Sequence, residues 1–335
     1  MKVFVTGGGG FLGLAIVEQL LQQGYKVVTF SRSDYPALQE LGVEHHRGHL
    51  ADYEAVSTAM QGCDGVFHVA AKVAMWGSYD SFFDTNVVGT RNIMRACREH
   101  GITKLVFTSS PSVVFSEGCE GADESLPYPE QYDAFYPQTK AIAEQEVLAA
   151  NSADLHTCAL RPHLVWGPKD HHFLPVLFEK RRKNRLRLVG KEDHLVDIIY
   201  IDNAAQAHLQ AFEQLCNDPS QVAGKAYFLS QDQPITIRDF LNRLIDSGGL
   251  PPVESTVNRS LALGAAWFFE TIYKTFGIMS EPPVTRFVVK HMSAPHWYDI
   301  SAAKRDFGYT PSISIDEGMK RLKKWVQQSG QGLRN

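Results

Sequence analysis

Short runs of β-branched and aromatic residues alternate with stretches of helical period through the first half of the chain. This alternation predicts βαβ units that build a parallel sheet, because a helix usually connects two parallel strands. The predicted strands are Lys2–Thr6, Lys26–Phe30, Val43–Arg47, Gly65–Val69, Lys104–Thr108 and His156–Leu160. The predicted helices are Phe11–Gln23, Asp52–Gln61, Tyr79–His100 and Ala134–Ala150. The pattern therefore indicates the α/β class with a doubly wound parallel sheet.

The rhythm changes after Arg161-Pro162, where loops containing Pro and His begin. Two segments are predicted to return to the sheet region, namely 195–201 with the helix Asp202–Cys216, and Lys225–Ser230. The remainder, from Gln231 to about Tyr309, is predicted to be helical. We therefore expect a first domain of residues 1–165, to which 195–230 return, and a smaller, mainly helical lobe of residues 166–194 and 231–335.

Composition narrows the functional classes. The 335 residues carry a formal net charge of −4, which argues against general binding to nucleic acid. The five cysteines are odd in number and never form a C-x-x-C pair, so they predict neither a disulfide framework nor a metal site. An apolar strand follows Met1-Lys2 directly and leaves no room for a signal peptide, so we expect a cytoplasmic protein.

A glycine-rich turn lies between the first strand and the first helix. Thr6 is followed by Gly7, Gly10 and Gly13 in G-x-x-G-x-x-G spacing. In such a turn the glycines allow the tight bend, the approach of a pyrophosphate and close helix–strand packing. Because the helix N-terminus favours negative charge, the turn predicts a dinucleotide site.

The end of the second strand distinguishes two cofactors. An acidic residue there would bond the ribose 2′-hydroxyl of NAD, whereas arginine accommodates the 2′-phosphate of NADP. The chain has Ser31-Arg32 and no carboxylate at this point. The sequence therefore favours NADP(H).

Tyr136 and Lys140 are four residues apart in a predicted helix, which places both on one face. A nearby ammonium stabilises phenolate, so we expect it to lower the pKa of Tyr136. A phenol of this kind can exchange a proton with a carbonyl oxygen. The position of the pair, between the fifth and sixth strands and downstream of a dinucleotide turn, favours an oxidoreductase.

With these motifs in family order, the chain resembles the extended short-chain dehydrogenase/reductases, and within them the 3β-hydroxysteroid dehydrogenase-like branch. The resemblance covers nearly the whole chain and implies a Rossmann-type sheet with a C-terminal substrate lobe. The residues that carry it are the glycine turn, His68-Val69-Ala70-Ala71, Asn86-Val87-x-Gly89-Thr90, Thr108-Ser109-Ser110, Tyr136 with Lys140, and Arg161-Pro162.

The resemblance also implies roles for individual residues. Tyr136 would be the general acid/base, Lys140 its activator and a ligand of the nicotinamide ribose, and Ser110 the donor to the reacting oxygen, with Ser109 and Ser112 as alternatives. Asn86 would lie on the proton-relay side or serve as a packing amide. Further cofactor contacts would be Phe11, Leu12, Ser31, Arg32, His49, Leu50, Ala70, Ala71, Lys72 and Pro162. His49 departs from the family, which usually has an acidic residue there to bond the adenine.

The run from Thr108 to Tyr136 and the run Leu160–Pro168 look closest to bacterial reductases of long-chain olefin biosynthesis. That likeness implies NADPH-dependent reduction of the 3-keto group of a long-chain 2-alkyl-3-oxoalkanoic acid. The alternatives are a 3β-hydroxysteroid dehydrogenase, with or without isomerase activity, a nucleotide-sugar epimerase and a non-catalytic NADP-binding scaffold. We expect a hydrophobic small-molecule substrate, a homo-oligomer and no nucleic-acid partner.

Three other features are open to more than one interpretation. The basic run 180–187 indicates a solvated helix end or a contact for an anion. The apolar stretch 261–276 predicts either a buried helix of the substrate lobe or an interfacial helix that faces a membrane or a partner enzyme. The histidines, including His45-His46 and His171-His172, show no metal-binding pattern and are interpreted as loop and surface residues.

Overall fold

The structure is a computed structural model and describes residues 1–330. Its strands are β1 (Lys2–Thr6), β2 (Lys26–Ser31), β3 (Glu44–Arg47), β4 (Gly65–His68), β5 (Lys104–Thr108), β6 (Cys119–Ala122), β7 (His156–Pro162), β8 (Val165–Trp166), β9 (Leu188–Val189), β10 (Leu195–Val196), β11 (Ile199–Tyr200), β12 (Lys225–Leu229), β13 (Ile235–Thr236), β14 (Thr256–Val257) and β15 (His296–Tyr298). Its α-helices are α1 (Phe11–Gln22), α2 (Pro36–Glu40), α3 (Tyr53–Met60), α4 (Tyr79–Phe83), α5 (Gly89–Glu99), α6 (Phe135–Ala149), α7 (Phe173–Arg182), α8 (Ile201–Asn217), α9 (Ile237–Ser247), α10 (Arg259–Thr275), α11 (Arg286–Met292), α12 (Ser301–Phe307) and α13 (Ile315–Ser329).

The main sheet has seven strands in the order β3-β2-β1-β4-β5-β7-β12, and every pair of neighbours is parallel. The prediction of a Rossmann-type α/β fold is confirmed. The strand order reverses between β1 and β4, so the carboxyl ends of these strands form a crevice of the kind that binds ligands in open α/β sheets.

Side chains of alternate residues on each strand enter opposite cores, as the pleat of a strand requires. Phe4 of β1 joins the core beneath α3, α5 and α6, which also contains Phe107 of β5. Val3 and Val5 join the other core, beneath α1 and α8, which extends into the C-terminal lobe. The sheet is therefore covered on both faces, and its carboxyl edge stays free for a site.

The helix predicted over Tyr79–His100 is interrupted. A π-helical turn, Asp84–Val88, separates α4 from α5. Such a turn adds one residue to the helix without ending it, so the apolar period of the sequence does not reveal it. Because Asn86 lies in this turn, the irregularity is at one of the residues predicted to act in catalysis.

The second half differs from its prediction in strand pairing. Of the segments expected to return to the sheet, β12 joins it at the edge beside β7, whereas β10 belongs to a four-stranded sheet ordered β13-β10-β15-β6. The interval predicted to be helical also contains β13, β14 and β15. Two- and three-residue strands are too short to produce a readable alternation, and their partners are distant in sequence. The division into two domains stays a prediction.

The interpretation of the histidines as surface residues is wrong for three of them, because His68, His208 and His296 are buried. The ring of His68 lies between the hydroxyls of Thr6 and Thr90, at 2.8 and 2.9 Å, and the ring of His208 pairs with Thr108. A neutral imidazole can be buried when its nitrogens are paired, but those partners are 22 to 100 positions away in sequence.

The apolar stretch 261–276 is buried on one side and exposed on the other, and whether the exposed side faces a membrane or a partner stays a prediction. On α10, Ala262, Ala266 and Glu270 are buried, whereas Leu261, Trp267 and Phe268 are exposed. Within residues 1–330 no helix combines the length and apolarity needed to cross a bilayer.

Candidate active site

The glycine turn has the geometry that the sequence predicts. Gly7 has φ +69°, and its carbonyl accepts a 2.8 Å hydrogen bond from the amide of Gly10. A Cβ on Gly13 would lie 2.1 Å from that carbonyl oxygen, so no larger residue fits. A Cβ on Gly7 would lie 3.0 Å from the Cα of Ala70, which packs the turn against the end of β4.

Helix α1 begins directly after the turn. Its N-cap is Gly10, no side chain caps the first turn, and no acidic residue lies there. The first amides are therefore free to receive an anion, and the helix dipole favours one. These features fit the pyrophosphate of a dinucleotide.

Tyr35 was not identified from the sequence as part of this site. A Cβ on Gly9 would lie 2.1 Å from the Tyr35 ring, so this ring packs directly over the turn. Tyr35 follows β2 by four residues in an irregular segment, and no periodic pattern marks it. The signal that the sequence offers is the run of four consecutive glycines, residues 7–10, which indicates that another group packs closely against the turn.

The end of β2 offers polar groups without protein partners. The hydroxyl of Ser31 is buried and has no hydrogen-bond partner within residues 1–330. Arg32 is exposed, and in the described chain no carboxylate lies within ion-pair distance of it, whereas Arg47 pairs with Asp34 at 3.0 Å. A buried hydroxyl without a partner is costly, and a bound ligand would satisfy it.

His49 and Leu50 follow β3. His49 is exposed, and its Nδ1 accepts a 3.2 Å hydrogen bond from the amide of Ala51. Leu50 is buried, and its Cβ lies 2.6 Å from where a Cβ on Gly89 would be. A contact between His49 and adenine therefore stays a prediction.

Asn86 ties the segment after β4 to the helix that carries Tyr136. Its Oδ1 accepts a 2.7 Å hydrogen bond from the amide of Lys72, and its Nδ2 donates to the carbonyl of Lys72 and, at 3.0 Å, to the hydroxyl of Thr139. Ala70 and Val69 are held in turn by the Thr6 hydroxyl, each at 3.0 Å. Both polar atoms of the Asn86 side chain therefore form hydrogen bonds that position its neighbours.

Tyr136 lies in the first turn of α6, and Ser110 follows the carboxyl end of β5. Partial burial raises the pKa of Tyr136, and a side-chain hydrogen bond with Ser110 acts to lower it. The Ser110 and Ser112 hydroxyls are 2.9 Å apart. Ser109 differs, because its hydroxyl is buried without a partner and its amide donates to Leu160.

Lys140 is buried one turn after Tyr136. Its ammonium donates a 2.6 Å hydrogen bond to the carbonyl of Thr108 and lies 3.9 Å from the centroid of the Phe107 ring. Burial lowers the pKa of Lys140 to about 7, and the Glu144 carboxylate acts in the opposite direction.

The expectation that this cation lowers the pKa of Tyr136 is wrong, because burial raises that pKa. The Lys140 ammonium instead donates to the carbonyl of Thr108 at the end of β5. Helical spacing puts two residues on one face, but it does not fix the direction in which a long side chain extends.

The last elements of the site come from β7. Arg161 is buried and pairs with Glu144 of α6 at 2.6 Å. Glu144 also accepts a 2.7 Å hydrogen bond from the Tyr128 hydroxyl. Pro162, a predicted cofactor contact, ends β7 and lies beside Leu229 of β12. These contacts fix α6, and with it Tyr136, against the sheet.

A cleft with a volume of about 400 Å³ opens beside the start of α6. Tyr132, Asp133, Ala134 and Phe135, which precede Tyr136, line one side. Its other walls are Met75, Trp76, Gly77, Ser78 and Phe82 after β4, Glu270, Tyr273, Lys274, Gly277, Ile278 and Met279 of α10 and its end, and Thr285, Arg286 and Phe287 at α11. Most of this lining is aromatic or aliphatic, which suits a hydrophobic substrate.

The comparison with known proteins gives relatives over almost the whole chain. A 2-alkyl-3-oxoalkanoate reductase of Stenotrophomonas maltophilia is 49% identical over 328 residues, which is 96% of this chain and 98% of that protein. A protein of the same name from Shewanella oneidensis is 49% identical and is covered over 85% of its length. The decarboxylating sterol-4-alpha-carboxylate 3-dehydrogenase of Mus musculus is 32% identical over 96% of this chain and 89% of its own.

Solved structures agree with the fold. The protein gox2253 has a TM-score of 0.79 at 27% identity and covers 98% of this chain and 99% of its own. A UDP-glucose 4-epimerase of Thermus thermophilus in complex with NAD has a TM-score of 0.74 at 24% identity, with the same coverage, and supports the fold alone. The model of the 3-beta hydroxysteroid dehydrogenase/isomerase family matches residues 4–260. The chain is therefore a member of the 3-beta hydroxysteroid dehydrogenase/isomerase family, nicotinamide-dependent oxidoreductases on a Rossmann-type fold.

Proposed function

We propose that this protein reduces the 3-keto group of a long-chain 2-alkyl-3-oxoalkanoic acid to the 3-hydroxy acid. The observation that carries the proposal is the placement of Tyr136 at the start of α6 and of Ser110 at the carboxyl end of β5, beside an apolar cleft and close enough for Ser110 to act on the pKa of Tyr136. The two relatives at 49% identity, both named 2-alkyl-3-oxoalkanoate reductase, support the substrate.

The nicotinamide cofactor supplies the hydride when it is bound. The chain's own groups act on the carbonyl oxygen: Tyr136 donates a proton to it as negative charge develops, and Ser110 donates a hydrogen bond. Lys140, with a pKa of about 7, can hold or release a proton in the working range of pH. Asn86, through Thr139, keeps this helix turn in place.

The cleft suits the alkyl chains of such an acid. Trp76 is fixed there by a 2.8 Å hydrogen bond from its indole nitrogen to the carbonyl of Ile278, and its ring packs edge-on against Tyr273. Phe82 and Phe135 pack against each other at the side nearest Tyr136. Burial of alkyl chains on such walls contributes roughly 0.8 kcal/mol per methylene group.

We propose NADPH as the reductant. The unpaired guanidinium of Arg32 and the unpartnered hydroxyl of Ser31 support this choice, because a 2′-phosphate would be a partner for both. Five cysteines without a disulfide support a reducing compartment, and we propose the cytoplasm.

The test is an NADPH-consumption assay with a long-chain 2-alkyl-3-oxo acid and, in parallel, a 3-ketosteroid. We expect turnover of the acid, and we expect Tyr136→Phe to lower kcat about 10²- to 10⁴-fold while the Kd for NADPH stays unchanged. Activity on the steroid alone would overturn the substrate. Near-normal turnover by Tyr136→Phe would overturn the catalytic role.

A further inference from the structure

The carboxylates that line the cleft are paired with cations, and one of the cations that line it has no carboxylate partner among the described residues. The lining contains two carboxylates, and both are paired: Glu270 accepts a 2.7 Å hydrogen bond from Nε of Arg286, and Asp133 pairs with Lys290 at 2.7 Å. The exposed ammonium of Lys274, at the outer rim, has no carboxylate within ion-pair distance in residues 1–330. Both carboxylates of the lining are therefore neutralised by cations, whereas Glu281, outside the lining, accepts a 3.0 Å hydrogen bond from the amide of Met75.

Lys72 adds a second unpaired cation at the inner side. Its ammonium donates a 2.6 Å hydrogen bond to the hydroxyl of Ser81 and lies 4.8 Å from the centroid of the Phe82 ring. A Cβ on Gly77 would lie 3.4 Å from the same nitrogen. Gly77 and Phe82 line the cleft, so this ammonium borders it.

The ammonium of Lys72 is half-buried, and its described contacts contain no carboxylate. Ser81 is a neutral acceptor and occupies one of three donors. A partly desolvated cation without a counterion is unfavourable, and a bound anion would remove that cost. Within residues 1–330, the described contacts of the Lys72 ammonium lie at the cleft and not at the glycine turn.

The backbone of Lys72 is joined to the catalytic helix. Asn86 accepts from its amide, donates to its carbonyl and donates again to Thr139, which lies between Tyr136 and Lys140. In a 3-oxo acid the carboxyl carbon is two bonds from the keto carbon, so its anion site must adjoin the catalytic hydroxyls. The shared Asn86 holds the backbone of Lys72 next to Thr139, one turn of α6 from Tyr136.

We propose that Lys72 binds the carboxylate of the substrate. It would select acids whose carboxylate is attached to the carbon adjacent to the one that bears the reacting oxygen. The inference rests on the proposed function and extends it. The two kinds of relative are named for a 2-alkyl-3-oxoalkanoate and a sterol-4-alpha-carboxylate. In both compounds the carboxylate is attached to the carbon adjacent to the one that bears the reacting oxygen, so one kind of anion site would suit both.

The experiment compares the 3-oxo acid with the neutral long-chain ketone that lacks its carboxyl group. We expect Lys72→Met to raise KM for the acid at least tenfold and to change the KM for the ketone less than twofold, with the Kd for NADPH measured for each variant because Lys72 is also a predicted cofactor contact. Lys72→Arg should recover part of the loss. Lys324→Met, at an exposed position of α13 outside the cleft lining, is the control and should leave both KM values within twofold.

Equal losses on acid and ketone, or a loss explained by weaker NADPH binding, would overturn the role of Lys72 and leave the proposed function standing. If the wild-type enzyme did not reduce the acid, both proposals would fail.

A second, independent observation concerns the exposed side of α10. We define the apolar patch as Leu261, Trp267, Phe268, Phe276 and Met279, whose exposed fractions are 71%, 58%, 55%, 76% and 63%. Large side chains at such exposure on one helix and its end are unusual for a surface that faces water alone. Met279 also lines the cleft, so the patch reaches the mouth of the site.

The tertiary structure brings the basic run 180–187 next to this helix. Parallel strands β9 and β14 join the two segments, because β9 begins directly after Arg187 and β14 ends two residues before α10. Arg181 fixes the run further by donating to the carbonyls of Pro251 and Pro252. Val189 and Val257 pack beneath α10. The basic run therefore lies near the start of α10, at the Leu261 end of the apolar patch.

We propose that the apolar patch inserts into an anionic lipid surface, with the basic run bound to the headgroups. Apolar insertion combined with cations is what an interfacial helix requires. The position of Met279 lets a hydrophobic substrate pass from that surface into the cleft.

The test is sedimentation with phosphatidylcholine vesicles that contain or lack phosphatidylglycerol. We expect binding to the anionic vesicles, a loss of at least tenfold in Trp267→Ser/Phe268→Ser, and a salt-dependent loss in Arg185→Gln/Arg187→Gln. Leu41→Ser, an exposed leucine after α2, is the control and should bind normally.

Wild-type protein that ignored both vesicles would overturn the proposal. So would a Trp267→Ser/Phe268→Ser variant that kept vesicle binding and changed oligomeric state, because the patch would then be an interface between copies.

Discussion

Arg161 at the end of β7 donates hydrogen bonds from Nε and Nη2 to the carboxylate of Glu144 on α6, and both side chains are buried. This pair joins the last turns of the helix that carries Tyr136 to the sheet that positions the cofactor site. Glu144 lies one turn after Lys140, and its carboxylate also acts on the pKa of that lysine.

Glu144→Gln is expected to lower the free energy of unfolding by about 3–5 kcal/mol, because it leaves the Arg161 guanidinium buried and uncompensated. Urea denaturation measures the change. Glu146→Gln on the same helix is the matched control: its pair with Arg91 is exposed and should contribute at most about 1 kcal/mol. Equal effects of the two substitutions would contradict the structural role of the buried pair.

Lys140 should give a pH-dependent stability that is opposite to that of a paired lysine. Its folded pKa of about 7 is below its ordinary value of 10.5, so between these values the unfolded chain binds the additional proton. The free energy of unfolding therefore rises with pH between about 7 and 10.5, and below about pH 7 Lys140 adds no further dependence on pH. Lys140→Met should be stabilised relative to wild type more at pH 6 than at pH 9.

Urea unfolding of the ligand-free protein at both pH values measures this difference. An advantage of Lys140→Met that is the same at pH 6 and pH 9 would show that the lysine is not held at a lowered pKa.

Three serines near the end of β5 can be separated by their contacts. Ser110 interacts with Tyr136, so Ser110→Ala should lower kcat by about 10²- to 10³-fold. Ser112→Ala removes a partner of Ser110 and should have a smaller effect. Ser109→Ala should leave kcat near normal, because that hydroxyl has no polar contact to lose. Steady-state kinetics of the three variants would reassign the donor if Ser112→Ala gave the largest loss.

Arg32→Ala should lower kcat/KM with NADPH by at least tenfold and leave the value with NADH within about twofold. The reason is that the guanidinium has no carboxylate partner in the described structure and would lose only its interaction with the 2′-phosphate. Arg47→Ala, whose guanidinium is paired with Asp34, serves as the control. A preference for NADH that Arg32→Ala did not change would reject NADPH as the reductant.

The buried histidines should make the protein sensitive to acid. Burial lowers the pKa of His68 to about 3 and that of His208 to about 4, so both are neutral in the folded chain. Below their ordinary value of 6.5 the unfolded chain binds more protons, and stability is therefore lost as pH falls from 6.5 towards 4. Unfolding free energies at pH 7.5 and pH 5 measure this loss.

His208→Gln keeps a hydrogen-bonding side chain near Thr108 but cannot titrate, so its stability should fall less between these two pH values. His49→Gln, at an exposed position, is the control and should behave as wild type. A dependence on pH in His208→Gln equal to that of wild type would contradict the assignment.

The sequence by itself determined the parallel α/β sheet and the glycine turn, and it indicated Tyr136 and Lys140 as the candidate catalytic pair. These features are local: strand and helix periods repeat over a few residues, and the positive φ of Gly7 is required within one turn. The predicted boundaries of β1 and β5 match the structure residue for residue.

Only the tertiary structure decided which partners the long polar side chains reach. Lys140 extends to Thr108, Arg161 to Glu144 and the imidazole of His68 to Thr6, and in none of these pairs are the partners closer than 17 positions in sequence. The sheet partners of strand β10 and the proximity of the basic run to α10 likewise involve segments that are distant in sequence. Such contacts depend on how separate elements pack, and because no local period encodes that packing, the sequence could indicate the groups of the site without indicating their partners.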